Sequence, residues 1–431
     1  MSAAPIDPDT DFKRYRQGTH RTRHPADTLA RARTLMRECG ITRIANVTGL
    51  DRIGIPVVMV TRPNARSLAV SQGKGIDLDS AKASGLMEAI EGWHAEHIVS
   101  HDLRLASFDE LREQASIVDV TQLVCSAGRR FDAGAPMLWI EGRKLAGAFA
   151  EAEPCWLPLE TVSTDYTEPA APGSGAFAAT SNGLASGNTY DEALCHALCE
   201  VIERDALTLW HLGSRRNLGV TGLDPETVDD PACRQLMACF DRAGVQLKIW
   251  ETTSDIGVAA FECLAAGRDD DWADPEYGAG CHPSRAVALA RAITEAAQAR
   301  VSFIAGSRDD FGSHLYTGNM RKRRRRHCFA QMAAHRPTRR FTDAPDCAAD
   351  TVREDVETVL QRLETAGIAA PIVVDLTRHP DVAHIVRVVV PGLEGAYDHE
   401  QGDFTPGQRA RAVSPAFKAK NVLSGRGAHL S

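Results

Sequence analysis

The chain has 431 residues, 43% hydrophobic and 25% charged, a composition that can bury a large core without a disulfide or metal staple. Its 49 basic and 57 acidic residues leave a formal charge of −8, which argues against a general nucleic-acid binder, since that needs a net basic face. The longest apolar run, Gly54–Val60, is far short of the ~20 residues of a membrane span, and the N-terminus lacks the pattern of a secretory signal, so a cytoplasmic protein without a membrane partner is expected.

Residues 1–25 are polar, rich in Arg and His, and read as an extended arm. Residues 26–40 carry the pattern of an amphipathic helix closed by Gly40. The stretch 44–63 alternates strand-like segments with turns. SQGKGIDLDSAKASGLMEAIEGWHAEHIV reads as a glycine loop followed by a long helix, in which Trp93 and His94 are packing residues. Residues 104–170 suggest strands broken by Pro and Gly. TSNGLASGNTYDEALCHALCEVIERDALTLWHL then repeats the loop-and-helix plan, with Trp210 packing the two helices together. A strand pair over 246–265 and a third helix over 283–306 follow, with Asp309 and Asp310 as turn residues. Residues 311–345, with the run Arg321–Arg326, read as a surface loop that could dock an acidic partner. A helix over 351–367 and a buried strand over 384–395 come next, and the tail from Tyr397 is polar and turn-rich. Strands and long helices without regular βαβ alternation point to an α+β fold.

The eleven cysteines are irregularly spaced, so no disulfide framework is expected. Cys195 and Cys199 lack further metal ligands at matched spacing and read as buried thiols. Cys281-His282 has no third group to orient it as a nucleophile.

Chemistry is concentrated in a repeated register. Gly75 precedes Glu88 by 13 residues, with Glu91 three later, and Gly187 precedes Glu200 and Glu203 in the same way. Glu88 and Glu91 therefore share one helix face. Glu192, His196, Glu200 and Glu203 form a stripe opposite Ala193, Leu194, Ala197, Leu198, Val201 and Ile202. A solvated helix face would look the same, but aligned carboxylates repel one another unless cations compensate. Mg²⁺ takes up such oxygens and bridges them to phosphates. Arg204, Arg291 and Glu295 would add phosphate clamping and carboxylate support. Ser71 and Lys74, in a glycine-rich segment before a helix, suit phosphate contact, although the segment is not a P-loop. His196 would relieve repulsion in the stripe as a donor or a cation.

Three blocks, SQGKG…SGLMEAIE, SNGLASGNTYDEALCHALCEVIERD and RAITEAAQAR followed by GSRDD, resemble the YcaO family of ATP-dependent peptide-backbone modifying enzymes. The resemblance runs from about residue 20 to about 395. It implies a YcaO-like fold with residues 1–60 as an N-terminal arm and helix/strand region, 61–396 as the catalytic domain and 397–431 as a tail. It implies an ATP site without a Walker motif, in which Glu88, Glu91, Glu200 and Glu203 hold Mg²⁺. Asn188, Glu192, His196, Arg204, Arg291 and Glu295 then contact nucleotide, with Glu203, Arg204 and Arg291 as catalytic residues. Arg21 and Thr28 are the matching candidates near the N-terminus. The chain departs from the family pattern at Gly92, where an arginine is usual, so one cation is missing or comes from elsewhere.

The resemblance further implies that ATP phosphorylates a backbone amide oxygen of a bound peptide, turning it into a leaving group. A Cys, Ser or Thr side chain of the peptide as nucleophile gives an azoline, and external sulfide gives a thioamide. TGLDRIGIPV, GSRDD and VPGLEG resemble the branch that works with a TfuA partner, and the Pro-rich tail of many azoline-forming members is not seen, so thioamidation is favoured. A homodimer is expected from the family. A non-catalytic peptide-binding scaffold and a small-molecule ATP-dependent ligase or kinase are the competing readings.

Overall fold

The computed structural model describes residues 11–99, 102–126, 130–145, 153–213, 217–267, 274–395 and 405–414. Pro25–Ala32 (α1) begins on a proline, and the His24 ring accepts from Ala26 N–H at its start. It is shorter than the helix expected to reach Gly40. A 3₁₀ turn follows, and Gly40 closes the segment at φ +67°.

Arg43–Asn46 (β1), Val57–Thr61 (β2) and Val70–Lys74 (β3) form an antiparallel sheet that takes residues from both sides of position 60. Leu78–Glu96 (α2), capped by Asp77, packs across it. The segment expected to be a glycine loop is thus largely strand β3. Its glycines serve close approach rather than turning: a Cβ on Gly73 would lie 2.0 Å from the Ala81 carbonyl oxygen.

The strand-then-helix plan occurs three times. Leu103–Ala106 (β4), the one-turn helix Phe108–Leu111 (α3), Met137–Lys144 (β5) and Pro154–Pro158 (β6) lead to Leu184–Gly187 (β7) and then Tyr190–Leu212 (α4), capped by Thr189. Pro231–Arg242 (α5) precedes a sheet of Gln246–Glu251 (β8), Ala260–Ala266 (β9) and Glu276–Cys281 (β10), which feeds Arg285–Ala305 (α6), capped by Ser284. Gly318–Ala334 (α7), Val352–Thr365 (α8), Ile372–Asp375 (β11), His384–Val389 (β12) and Gln408–Val413 (α9) complete the described elements. A six-stranded antiparallel sheet runs β4-β5-β11-β12-β7, with β6 also paired to β5. The fold is α+β.

The three units share one register. Would-be Cβ atoms on Gly73 and Gly280 meet the carbonyl eight residues on (Ala81, Ala288) and the amide twelve on (Gly85, Ala292). Gly75 and Gly187 both meet the residues five and six on, Ser80 and Ala81 in one unit and Glu192 and Ala193 in the other. Counting from these glycines, Glu88, Glu200 and Glu295 are equivalent, and so are Glu91, Glu203 and Gln298. Helix α2 also touches β7, α4 touches β10 and α6 touches β3, so each helix leans on the next unit's strand and the ring closes.

Each unit has its own apolar core. Leu86 and Ile90 pack with Val58 and Val60, Leu198 and Ile202 with Val356 and Val386, and Leu289 and Ile293 with Phe240 and Phe261. Each such side chain contributes about 1.5–3 kcal/mol over the exposed state.

The arginine run is helical, which corrects its reading as a loop. Arg321 donates to Asp274 at 2.8 Å and 3.1 Å, Arg324 donates to Glu276 at 3.1 Å, and Arg325 lies 3.6 Å from Asp274. Lys322, Arg323 and Arg326 remain exposed. The tryptophans do not join the two helices as expected. Trp93 stacks on His97 and under Arg378, whereas Trp210 packs against Trp250. Cys195 and Cys199 are buried free thiols. Of the tail from Tyr397, only 405–414 lies within the described residues, where it forms α9.

Candidate active site

Where the three helices meet, they enclose a cavity of about 590 Å³. Every candidate site residue read from the sequence lines it: Arg21, Thr28, Ser71, Lys74, Glu88, Glu91, Asn188, Glu192, His196, Glu200, Glu203, Arg204, Arg291 and Glu295. Their partners sort them into three sets.

The first set is a group of carboxylates, each held through one oxygen. Glu88 Oε1 accepts from Gln72 N–H at 3.0 Å, and Glu91 Oε1 accepts from both Ser186 N–H (2.9 Å) and Ser186 Oγ (2.5 Å). Glu200 Oε1 accepts from Gly183 N–H at 3.3 Å, and Glu203 Oε1 lies 3.4 Å from Arg204. The second oxygen of each has no hydrogen bond among the described residues. Burial pushes Glu91 up to about 8, with Glu88 and Glu200 as like-charged neighbours, against the pull of Ser186. Glu203 is also raised by burial, with Glu295 and Glu200 adding to it and Arg204 and Arg291 opposing. Glu88 is raised by the surrounding protein, but its side chain is open to the cavity, and water there moderates the shift.

The second set is cationic. Lys74 Nζ donates to Glu295 Oε2 at 2.5 Å. Burial raises Glu295, but Lys74, Arg204 and Arg291 outweigh it and hold the carboxyl below its ordinary value. Arg204 is held in its charged form by Glu203, Glu200 and Glu295 against the cost of burial. Arg291 Nη2 lies 3.0 Å from His196 Nε2. Since arginine can only donate, that nitrogen is the acceptor. His196 is pulled well below its ordinary value by burial and by Arg291, Arg21 and Lys74, so it is neutral rather than the cation considered above. Arg291 Nε and Gln72 Nε2 are buried without partners among the described residues.

The third set is used internally. Glu192, 1% exposed, accepts from Thr22 N–H (2.5 Å) and Oγ1 (2.7 Å) through Oε1, and from Asn188 N–H (2.8 Å) and Nδ2 (2.9 Å) through Oε2. Thr28 Oγ1 donates to Asn188 Oδ1 at 2.8 Å. These three residues tie the N-terminal arm to the start of α4 and so bring Arg21 to the cavity.

An arginine from elsewhere in the chain lies beside Gly92. A Cβ on Gly92 would lie 3.0 Å from Arg62 Nη2. Arg62 lines the cavity and pairs bidentately with Glu96, at 2.9 Å and 2.6 Å. It sits where a side chain at 92 would start. Arg308, oriented by Asp310 and placed to interact with Glu88, also lines the wall. Neither arginine was picked from the sequence. Asp309 accepts from Ala69 N–H at 2.7 Å and acts as a loop tie.

The donor set fits Mg²⁺ with a polyphosphate. Hard oxygens are each free on one side, and arginines and Lys74 face the same space. Among the described residues, the trio of ligand-type atoms within 4.8 Å of one another lies elsewhere, at His20, His282 and Asp355. There Lys13 Nζ, 2.5 Å from Asp355, already supplies the positive charge. The glutamates are spread around the wall, as suits ions that take one or two carboxylates and the remaining oxygens from phosphate and water.

A family model described as YcaO cyclodehydratase, ATP- and Mg2+-binding, matches residues 72–394. An uncharacterised protein in the tfuA 3′ region of Rhizobium leguminosarum bv. trifolii is 37% identical over 377 residues, covering 86% of this chain and 87% of that one. An uncharacterised protein of Methanothermobacter thermautotrophicus is 35% identical over 379 residues, covering 86% and 94%. Among solved structures, YcaO from Methanopyrus kandleri bound with AMPPCP and Mg²⁺ is similar at TM-score 0.70 and 23% identity, over 93% of this chain and 98% of that one. A heterocyclase in complex with substrate and cofactor is similar at TM-score 0.74 and 22% identity, over 94% of this chain, which spans 56% of the heterocyclase's length. Among the described residues, no helix is long and apolar enough to cross a membrane.

Proposed function

The chain belongs to the YcaO family, and on that premise we propose that it uses Mg-ATP to activate a backbone amide of a peptide and installs a thioamide there with external sulfide. The observation that carries the reading is the convergence of four carboxylates, each held through one oxygen, with Lys74, Arg204 and Arg291 around one cavity.

Glu88, Glu91, Glu200 and Glu203 would hold Mg²⁺, which supplies charge neutralisation for a transferring phosphoryl group. Lys74 is released from Glu295 toward phosphate oxygens, and Arg291 turns its unpartnered Nε the same way. Arg204 stays charged through the cycle because three glutamates hold its proton. Neutral His196 fixes the Arg291 guanidinium without adding charge. Catalysis is then positioning plus electrostatic stabilisation. Sulfide as the nucleophile is supported by the Rhizobium relative, whose name places it beside tfuA. A TfuA-type partner and a homodimer belong to the same proposal. Arg62, which lines the cavity beside Gly92, supports the catalytic reading over a non-catalytic scaffold.

The test is intact-mass analysis of peptides encoded beside this gene, co-expressed with the chain and a TfuA-type partner. Exchange of one oxygen for sulfur, abolished by Glu203→Gln, is expected. Loss of one water instead would replace thioamide by azoline formation.

A further inference from the structure

Among the described residues, a second cavity of about 740 Å³ adjoins the first at Ser181, Glu200 and Arg204, which line both. Away from that boundary its wall includes Gln122, Ser126, Thr180 and Asn182, uncharged polar groups suited to an extended peptide backbone. Beyond the boundary pair Glu200 and Arg204, the charged groups of this wall are Glu394 and Arg387. Arg387 interrupts the valine run of β12, opposite Leu184 of β7. It is 3% exposed, and its Nε and Nη1 are buried without hydrogen-bond partners among the described residues.

That is an expensive arrangement. Burying a guanidinium without a paired anion costs several kcal/mol. The buried Arg62 and Arg300 are both paired with carboxylates, Glu96 and Asp51, whereas Arg387 forms no ion pair among the described residues. Burial pulls Arg387 down to about 10, with Glu200 as the opposing charge, so it still carries its proton at neutral pH. An unsatisfied buried donor in a cavity wall next to a phosphoryl-transfer site calls for an acceptor that arrives with the substrate.

Resting on the reading above, we propose that the second cavity admits the peptide backbone and that Arg387 is a catalytic residue donating to the oxygen of the amide under modification. Hydrosulfide adds to the carbonyl carbon, forming a C–S bond, and the C=O π pair moves to oxygen. Arg387 donates to that oxyanion. The oxygen then takes the γ-phosphoryl group of ATP as ADP departs. The C–O bond breaks with its pair leaving on phosphate, the S–H proton passes to solvent, and C=S forms.

The experiment uses the full chain. Peptides are selected from a random library for binding to protein loaded with Mg-AMPPCP, and the same peptides are turned over with ATP, MgCl₂ and sodium sulfide. Thr180→Trp, an exposed substitution in the second cavity, should abolish peptide binding and leave AMPPCP binding intact. Arg387→Ala should lower kcat by about 10²–10³-fold, with peptide KM and nucleotide Kd little changed and partial rescue by added guanidinium ion. A purely structural arginine would not be rescued that way. Wild-type peptide binding in Thr180→Trp, or wild-type kcat in Arg387→Ala, overturns the proposal. So does loss of nucleotide binding, with collapse of Tm and no rescue, in Arg387→Ala. A dehydrated product with the same Arg387 dependence would overturn thioamidation and leave Arg387 in place. A thioamide made at full rate without Arg387 would do the reverse.

Discussion

Glu91→Gln should stabilise the ligand-free protein while abolishing its function. Glu91 binds its proton far more tightly folded than unfolded, with its carboxyl raised from 4.5 to about 8 by burial between like charges. Such a group favours the fold fully below pH 4.5, and the benefit is lost as pH climbs toward 8. The loss runs at about 1.4 kcal/mol per pH unit and totals at most about 5 kcal/mol. The realised figure is smaller, because Glu91 is only half-buried and water in the cavity solvates it. Glutamine keeps an oxygen to accept from Ser186 N–H and Oγ and carries no charge at any pH. Urea denaturation of both proteins from pH 5 to pH 8.5, with and without Mg-ATP, reads the effect. Without ligand, the two midpoints should nearly coincide at pH 5 and diverge in favour of the variant as pH rises. With Mg-ATP at pH 8 the order should reverse, since only the wild type gains ligand stabilisation. Parallel pH profiles, or a variant that is less stable at pH 8 without ligand, would refute the reasoning.

Further outcomes follow from the packing. Gly73→Ala and Gly280→Ala should each cost more than about 3 kcal/mol or prevent folding, because the new Cβ would fall 2.0 Å and 2.1 Å from a helix carbonyl oxygen. Gly49→Ala, with nothing within 4 Å, serves as the control in thermal melts and should shift stability by no more than about 0.5 kcal/mol. Glu192→Ala strands the Thr22 and Asn188 donors, at about 1–3 kcal/mol for each buried unsatisfied group. It should speed tryptic cleavage at Arg21 and Arg23 before the core is cut. Arg62→Ala should lose about 3–5 kcal/mol by leaving Glu96 charged and buried. Arg62→Met with Glu96→Leu should recover most of that in chemical denaturation.

The carboxylate stripe was legible in the sequence because helical periodicity puts residues three and four apart on one face whatever the tertiary structure. The strands leading into those helices were not. SQGKG and LASG lack β-branched runs, and glycine normally signals a turn. Here it signals the missing Cβ that lets a helix lie against a strand, a property that only tertiary contact reveals. The helix of the third unit and its Arg291 and Glu295 were legible, but its equivalence to the other two was hidden for a related reason. Its ExxE has become Glu295 and Gln298, so a search for paired carboxylates passes over it, whereas counting fifteen residues from Gly280 finds it. The arginine run looked solvated because its acidic partners Asp274 and Glu276 lie 47 and 48 residues away in sequence. Arg387 looked like part of a buried strand, and its one available signal was a single charge among valines.

The closed ring of three units has a consequence for how the molecule breathes. No one unit owns the centre, since its oxygens come from three separately cored pieces, each propped on its neighbour. On the proposed reading, a nucleotide bound among them would act as a hub that fastens all three spokes at once. Loosening any spoke empties the hub, and filling the hub restrains every spoke. Amide protons on β3, β7 and β10 should therefore slow their exchange together when the centre fills, even where no bound atom touches them.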